Sequence, residues 1–328
     1  MKQQRPFALP LAASFLTAVF AGSAFAAAAP EYPVKPIRVI VPFPPGGGTD
    51  FVMRAIAPQL SEQLGQQVLI DNRAGAQGVV GTQIGARAIN DGYTLTIVDA
   101  ATVIAPALIA PAPFDVMKDF APIAILVEQP YLITLHPSVP AKTMAEFVKL
   151  VQANPGKFNY GSGSAISHVS QALFYSTAKL NMTHVPYRGT GPLMAASLGN
   201  EVQTTFTGPG AALPQVKAGK LRLLAVTSNK RFAQAPDAPT LEEVGFKGTD
   251  IRGWFGMLAP AGTPRAVVTK LNTTINGILS GNGPSSQVLR ERGYDLNPVS
   301  PEAFGKFLGA EVSRWSKAIR EFGVRASE

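Results

Sequence analysis

Apolar runs and amphipathic stretches alternate along most of the chain. Residues 37–43 begin Ile37-Arg38-Val39-Ile40-Val41. Val39, Ile40 and Val41 are apolar without alternation, as expected for a strand covered on both faces. Residues 51–64 place apolar positions at helical spacing. A strand at 67–70, a helix at 79–89 and a strand at 94–98 continue the pattern. Such alternation predicts a parallel sheet with crossover helices.

The pattern then repeats. Strands are predicted at 131–135, 158–160, 183–187, 202–207 and 221–227. Helices are predicted at 143–153, 167–179 and 193–198, with a helical turn at 213–217. An apolar strand at 254–258 leads to Pro264, which suits the first turn of a helix reaching residue 279. Further helices fit 286–292 and 301–322. In the last, Phe304, Phe307, Leu308, Val312, Trp315 and Ile319 fall near helical spacing and read as core contacts. No long flexible linker separates the halves. The chain is expected to cross near 129–132 and return near 252–255. Residues 30–130 and 252–328 then form lobe one and 131–251 lobe two, with a cleft at their junction. Ligands of open α/β sheets bind beyond the C-terminal strand ends.

The first residues stand outside this pattern. Lys2 and Arg5 precede an apolar run from Phe7 to Phe20, and small residues lead to Ala24-Phe25-Ala26. This reads as a secretory signal peptide over residues 1–26. The run is too short and too rich in Ala, Ser and Thr for a membrane span, which needs about 20 apolar residues. The mature chain is therefore expected in the periplasm.

Composition narrows the chemistry. The chain has no cysteine, which excludes disulfide scaffolds, zinc-thiolate sites and cysteine nucleophiles. Its three histidines, His136, His168 and His184, make a histidine-rich metal site an unpromising reading. No metal and no cofactor is expected. The formal charge of +8 includes Lys2 and Arg5. The remaining basic residues are scattered, without a stripe interleaved with aromatics, so no nucleic-acid partner is expected.

Candidate chemistry lies where strands run into helices. The richest segment is Pro42-Phe43-Pro44-Pro45-Gly46-Gly47-Gly48-Thr49-Asp50. It lacks G-x-G-x-x-G spacing and no Gly-Lys-Ser/Thr follows, so it is neither a dinucleotide fingerprint nor a P-loop. It reads either as a turn that needs glycine or as an anion cradle made of unpaired N–H groups. Thr49 or Asp50 is expected to cap the following helix. Comparable loops are Asn72-Arg73-Ala74-Gly75-Ala76 and Asp99-Ala100-Ala101-Thr102. Two more, Ser162-Gly163-Ser164 and Pro186-Tyr187-Arg188-Gly189-Thr190, follow later strands, as does Thr205-Phe206-Thr207-Gly208-Pro209-Gly210. Arg73 and Arg188 read either as acid partners or as surface residues, and Thr102 as a donor or as the end of a turn. A Ser–His hydrolase reading of Ser162 with His168 lacks both G-x-S-x-G and an acid to orient the imidazole. Together the loops point to a polar, backbone-rich cleft without catalytic residues.

These segments resemble a known family. They are Pro42-Phe43-x-Pro45-Gly46-Gly47-x-Thr49-Asp50, Asn72-Arg73-x-Gly75-Ala76, Asp91-Gly92-Tyr93-Thr94-Leu95 and Val185-Pro186-Tyr187-Arg188-Gly189. Lys217-Ala218-Gly219-Lys220-Leu221-Arg222 and Trp254-Phe255-Gly256-x-Leu258-Ala259-Pro260-Ala261-Gly262-Thr263-Pro264 complete the set. In this order they resemble a Bug-type extracytoplasmic solute receptor of the tripartite tricarboxylate transporter family. The resemblance implies an α/β, two-lobed type II periplasmic-binding-protein fold with a ligand cleft between the lobes. It implies a small organic acid ligand and membrane permease components of a tripartite tricarboxylate transporter as partners, with the receptor a monomer and not an enzyme. The implied ligand contacts are Phe43, Gly46, Gly47, Asp50, Ala76, Ala101 and Thr102 from lobe one, and Ser162, Ser164, Tyr187 and Thr207 from lobe two. Two departures stand out. The loop before His168 is about two residues shorter than is usual. Thr207 stands where many relatives carry an aspartate, which disfavours an amino-acid ligand.

Overall fold

The computed structural model describes Met1 and residues 31–108, 113–187, 189–247 and 251–322. The expected leader, apart from Met1, and Arg188 lie outside the described residues.

The first sheet begins with β1 (Ile37–Val41), β2 (Val68–Asn72) and β3 (Thr94–Asp99). The helices α1 (Gly48–Leu64) and α2 (Val79–Ala86) connect them, and α3 (Ala100–Leu108) follows directly. Ile37, Val39, Ile40 and Val41 are fully buried, as the apolar run predicts. The long β4 (Phe120–Pro130) leads into β5 (Leu132–Leu135) of the second sheet. There α4 (Met144–Ala153), β6 (Asn159–Ser162), α5 (Ala165–Thr177), β7 (Thr183–Pro186) and α6 (Thr190–Leu198) alternate. After them come β8 (Thr204–Thr207), α7 (Pro209–Lys217) and β9 (Arg222–Val226). The chain returns to the first sheet with β10 (Arg252–Pro260) and ends in α8 (Arg265–Ser280), α9 (Pro284–Glu291) and α10 (Pro301–Phe322).

The two sheets have one plan. Their strand orders are β2-β1-β3-β10-β4 and β7-β6-β8-β5-β9. In each, the first three strands are parallel. The fourth, β10 or β5, is antiparallel to both its neighbours. β5 and β10 are also the strands by which the chain enters its second sheet and re-enters its first. The parallel strand ends therefore carry strand-to-helix loops in both lobes.

The amphipathic α10 packs on α3, β4 and α5, so it reaches both halves. Its Phe304, Leu308 and Trp315 are buried. The indoles of Trp254 and Trp315 both donate to one oxygen of buried Glu311, each at 2.9 Å. A carboxylate with two N–H partners is far less costly to bury than a bare one.

Several predicted elements differ from those observed. Helix α1 starts at Gly48 rather than residue 51, and its N-cap is Gly47 with no side-chain cap. Thr49 and Asp50 lie inside the helix and do not cap it. The predicted turn at 213–217 is the nine-residue helix α7. Both β4 and α3 went unpredicted.

Candidate functional site

Two adjoining cavities open between the strand-to-helix loops of the two lobes. The inner one, about 310 Å³, is lined by Gly48, Asp99 and Ala100 of lobe one and by Ser164, Thr190 and Gly208, among others, of lobe two. The outer one, about 600 Å³, adds Gly46, Gly47, Asp50, Arg54 and Arg292. Both share Gly48, Thr190, Gly210, Ala211 and Tyr294, so they form one cleft.

Five helices present their N-terminal residues to this cleft. They are α1 through Gly48, α3 through Ala100, α5 through its N-cap Ser164, α6 through Thr190 and α7 through Gly208 and Gly210. The first turn of a helix has N–H groups without intrahelical partners, and its aligned dipoles amount to roughly half a positive charge. Three of the five, α1, α6 and α7, have glycine at the N-cap and no side-chain cap. No side-chain cap satisfies their donors, although in α7 Pro209 has no N–H and Ala211 N bonds the Gly208 carbonyl at 3.2 Å. The two others are capped from within, α5 by Ser164 and α3 by Asp99, whose side chains accept from Ser167 N and Thr102 N.

The lobe-one loop is held by Asp50. One carboxylate oxygen accepts from Gly46 N at 2.9 Å and from Arg54 Nε at 2.8 Å. The other accepts from Asn72 Nδ2 at 3.0 Å, and the same amide also donates to the Phe43 carbonyl at 3.1 Å. The Arg54 guanidinium hydrogen bond holds the Asp50 carboxyl below the usual carboxylate range. Gly46 has φ of 85°, a left-handed conformation that a side chain would strain.

Of the ligand contacts expected from the sequence, Gly46, Gly47, Asp50 and Ser164 line the cleft. The remaining expected contacts are not among the lining residues of these cavities. At the Asp99 loop it is Ala100 that lines the inner cavity, with Ala101 one position further along α3. Phe43 and Thr102 sit together beside Gly78, where an added Cβ would meet the Phe43 ring at 3.0 Å and Thr102 Oγ1 at 3.5 Å. Ala76 is exposed in a short 3-10 turn, with φ of 45°. Ser162 is buried and bonded to His184 Nε2 at 2.7 Å. Tyr187 packs against the small Leu193, Ala196 and Val202 cluster. Thr207 is buried at the end of β8, its Oγ1 without a partner.

The structure gives Ser162 a different histidine from the one the hydrolase reading assumed. His168 stacks on His184 instead, with ring centroids 3.6 Å apart and planes within 7°. Gln129, Tyr131, Gly253, Phe255 and Tyr294 of the lining escaped the sequence reading. The first four lie in the expected crossings near 129–132 and 252–255, and Tyr294 had no such signal.

A larger cavity, about 740 Å³, lies wholly within lobe two between α4, α7 and β9. The α4 N-terminus there is already closed by a reciprocal capping box: Thr143 accepts from Glu146 N, and the Glu146 carboxylate accepts from Lys142 N. The Arg222 guanidinium is used by the carbonyls of Val139 and Ala141. It offers no comparable set of open donors.

Two mirrored α/β sheets with loops facing a shared cleft define a two-lobed solute-receptor fold. Residues 52–324 match the family described as the tripartite tricarboxylate transporter family receptor. Protein BugT of Bordetella pertussis (strain Tohama I) is 31% identical over 309 residues, covering 93% of this chain and 94% of BugT. The solved structure of R. palustris Rpa4515 with adipate is 32% identical with a TM-score of 0.79, covering 90% of this chain and 99% of that one. MatC from Rhodopseudomonas palustris with bound malate is 31% identical with a TM-score of 0.75, covering 88% of this chain and 100% of that one. The chain belongs to the tripartite tricarboxylate transporter receptor family, whose members are periplasmic binding proteins.

Proposed function

We propose that this chain is a periplasmic receptor that captures a small carboxylate-bearing organic acid and delivers it, as a monomer, to the membrane components of a tripartite tricarboxylate transporter. The observation that carries this reading is the set of three uncapped helix N-termini, from both lobes, on one cleft. A carboxylate there accepts from backbone N–H groups at roughly 1.5–3 kcal/mol per charge-assisted bond. Gly46, Gly47 and Gly48 supply one jaw, with Asp50 fixing the loop. Ser164, Thr190 and the 208–211 turn supply the other. A ligand bridging the jaws favours the closed state because only there do both sets of donors reach it. The ligands of two relatives, adipate and malate, are both dicarboxylates, which supports this ligand class.

The leader over residues 1–26 fits export of such a receptor. Delivery to a membrane sensor would use the same cleft. A hydrolase is disfavoured because Ser162, the candidate nucleophile, is buried and absent from the cleft lining.

The test is a thermal-shift screen of the mature chain against mono-, di- and tricarboxylates and aromatic acids. A ligand at a hundredfold excess over Kd should stabilise by about 2.7 kcal/mol. A flat response across the panel would overturn the receptor reading.

A further inference from the structure

Asp99 is the acidic residue of the inner cavity. It lies at the C-terminal end of β3, opposite Phe255 of β10, and lines the cavity beside Ala100, Tyr131 and Ser164. Its hydrogen bonds are lopsided. Thr102 N and Thr102 Oγ1 both donate to Oδ1, each at 2.9 Å. Neither reaches Oδ2. With both Thr102 bonds on Oδ1, a protonated Asp99 can carry its hydroxyl at Oδ2 and donate from there.

The helix N-termini around the cleft favour a carboxylate, but no cationic side chain lines the inner cavity to pair with it. Among the described lining residues of the inner cavity there is no Lys, Arg or His and no second carboxylate. The titratable groups there are the hydroxyls of Tyr131 and Tyr294. β10 contributes Gly253, Trp254 and Phe255, α5 its cap Ser164 and Ile166, and α7 Gly210 and Ala211, none of them charged. Behind them, Glu311 of α10 is engaged by two indoles, and burial, with Asp99 and Glu311 nearby, raises the Tyr131 hydroxyl. Arg54, Arg292 and Asp50 line only the outer cavity. Burial pushes the Asp99 carboxyl up, against the lowering effect of hydrogen bonds from Thr102 and from the Ala101 and Asp99 backbone. A ligand carboxylate entering this space adds a like charge, which favours a proton on one of the two carboxyls.

We propose that Asp99 is a specificity residue of the receptor, donating a hydrogen bond from Oδ2 to an oxygen acceptor of the bound acid. This rests on the receptor reading above and deepens it. An acid anion then binds together with one proton, held between Asp99 and the ligand. The helix N-termini hold the anion, and Asp99 selects molecules with an acceptor at the floor of the cleft.

The experiment measures Kd by calorimetry from pH 5 to pH 8 for wild type, Asp99→Asn and Asp99→Ala. Adipate, malate and the wider acid panel serve as probes. Asn keeps the α3 cap, since Asn and Asp cap equally well. Its amide also donates from the Oδ2 position, but it does not titrate. Wild type should lose affinity up to about tenfold per pH unit above the free-protein pKa of Asp99, and should take up a proton on binding. The Asn variant should bind without that added slope or uptake, and the Ala variant should bind at least about tenfold more weakly than Asn. Parallel slopes for wild type and Asn, or an Asn variant as weak as Ala, would overturn the Asp99 role while leaving the receptor reading intact. No binding by any acid to wild type would remove both.

Discussion

The two lobes share one sheet plan, yet their cleft loops are held by different forces. In lobe one the loop before α1 is tied by charge: buried Asp50 gathers Gly46 N, Arg54 and Asn72. In lobe two the loops before α5 and α7, Gly163-Ser164 and Gly208, carry no charged residue, and the loop before α6 ends in Gly189. There close backbone approach does the fixing. A Cβ on Gly163 would lie 2.8 Å from both the carbonyl carbon and the oxygen of Gly189 and 3.0 Å from Thr190 N. The difference shows two ways to keep helix N-termini open. A charge lock works if its carboxylate is satisfied away from the helix N–H groups, and Asp50 is neutralised by Arg54 at 2.8 Å. A steric lock needs no charge at all. Both leave the field at the cleft to the peptide dipoles, which suits an anion.

The largest test of this comparison is Asp50→Ala. It strands the Gly46 N–H, the Asn72 amide and the Arg54 guanidinium together. Truncating one partner of a buried, hydrogen-bonded pair costs about 3–5 kcal/mol, and the exposed Arg54 side brings the expectation to the lower end, about 3 kcal/mol. For a chain of this size that is a fall in Tm of roughly 6–12 °C. Asp50→Asn keeps an acceptor for Gly46 N and should lose about half as much. Differential scanning calorimetry reads both. If the Ala variant melts within 2 °C of wild type (about 1 kcal/mol or less), the charge lock is not what holds this loop.

The loops were legible because all but Asp99-Ala100-Ala101-Thr102 combine a strand end with glycine, and the Bug-type family and the two-lobed α/β fold followed from them. What escaped has physical reasons. Strand β4 contains Pro122 and Pro130, which argue against a strand read in isolation. It survives because it is an edge strand, paired within its sheet only with β10 and bridged elsewhere only at Glu128 to Asp295, so missing N–H donors at the two prolines are tolerated. Helix α3 was hidden because Asp99-Ala100-Ala101-Thr102 fits a turn and Pro106 follows. Its start signal was nonetheless present, as Asp99 caps it by accepting from Thr102 N. Within the site, residues beside glycines on one loop were readable. Tyr294 and Gln129 were not, because only tertiary folding brings them to a loop far away in sequence. Tyr187 and Ser162 fall outside the cavity lining: a polar side chain at a strand end has two faces to choose from, and sequence alone does not say which is buried.

The steric lock is tested by Gly163→Ala. The added methyl meets backbone rather than a flexible side-chain tip, so the loops before α5 and α6 must move apart. Overpacking of this kind costs about 1–3 kcal/mol. Because Thr190 lines the cleft, ligand affinity should fall by about tenfold or more even where the chain remains folded. Raising salt to 1 M should not change this loss, whereas it should weaken the Asp50–Arg54 pair of lobe one. An Ala variant with wild-type affinity would show that the approach of Gly163 to Gly189 does not shape the site.

The smallest expected effect concerns a feature that lobe one lacks. All three histidines fall in lobe two, and two of them stack face to face at 3.6 Å. Burial, reinforced by the charge of His168, lowers His184 to about 4, and burial lowers His168 as well. The unfolded chain titrates near the ordinary value of about 6.5. Above that pH neither state of His184 holds the proton, so it adds no pH dependence. As pH falls from about 6.5 towards 4, the unfolded chain takes up a proton that the folded chain refuses, and stability falls. Both histidines are partly exposed, so solvent screening reduces the loss to the order of 1 kcal/mol. His184→Gln can still partner Ser162 but cannot titrate, so its Tm should decline less than that of wild type over this range. Hydrogen exchange at acidic pH should rise first in α5 and β7, the elements that carry the pair, before it rises in β1 and β2. Tm curves that run parallel in wild type and variant would show that the imidazole stack does not make lobe two the acid-sensitive half.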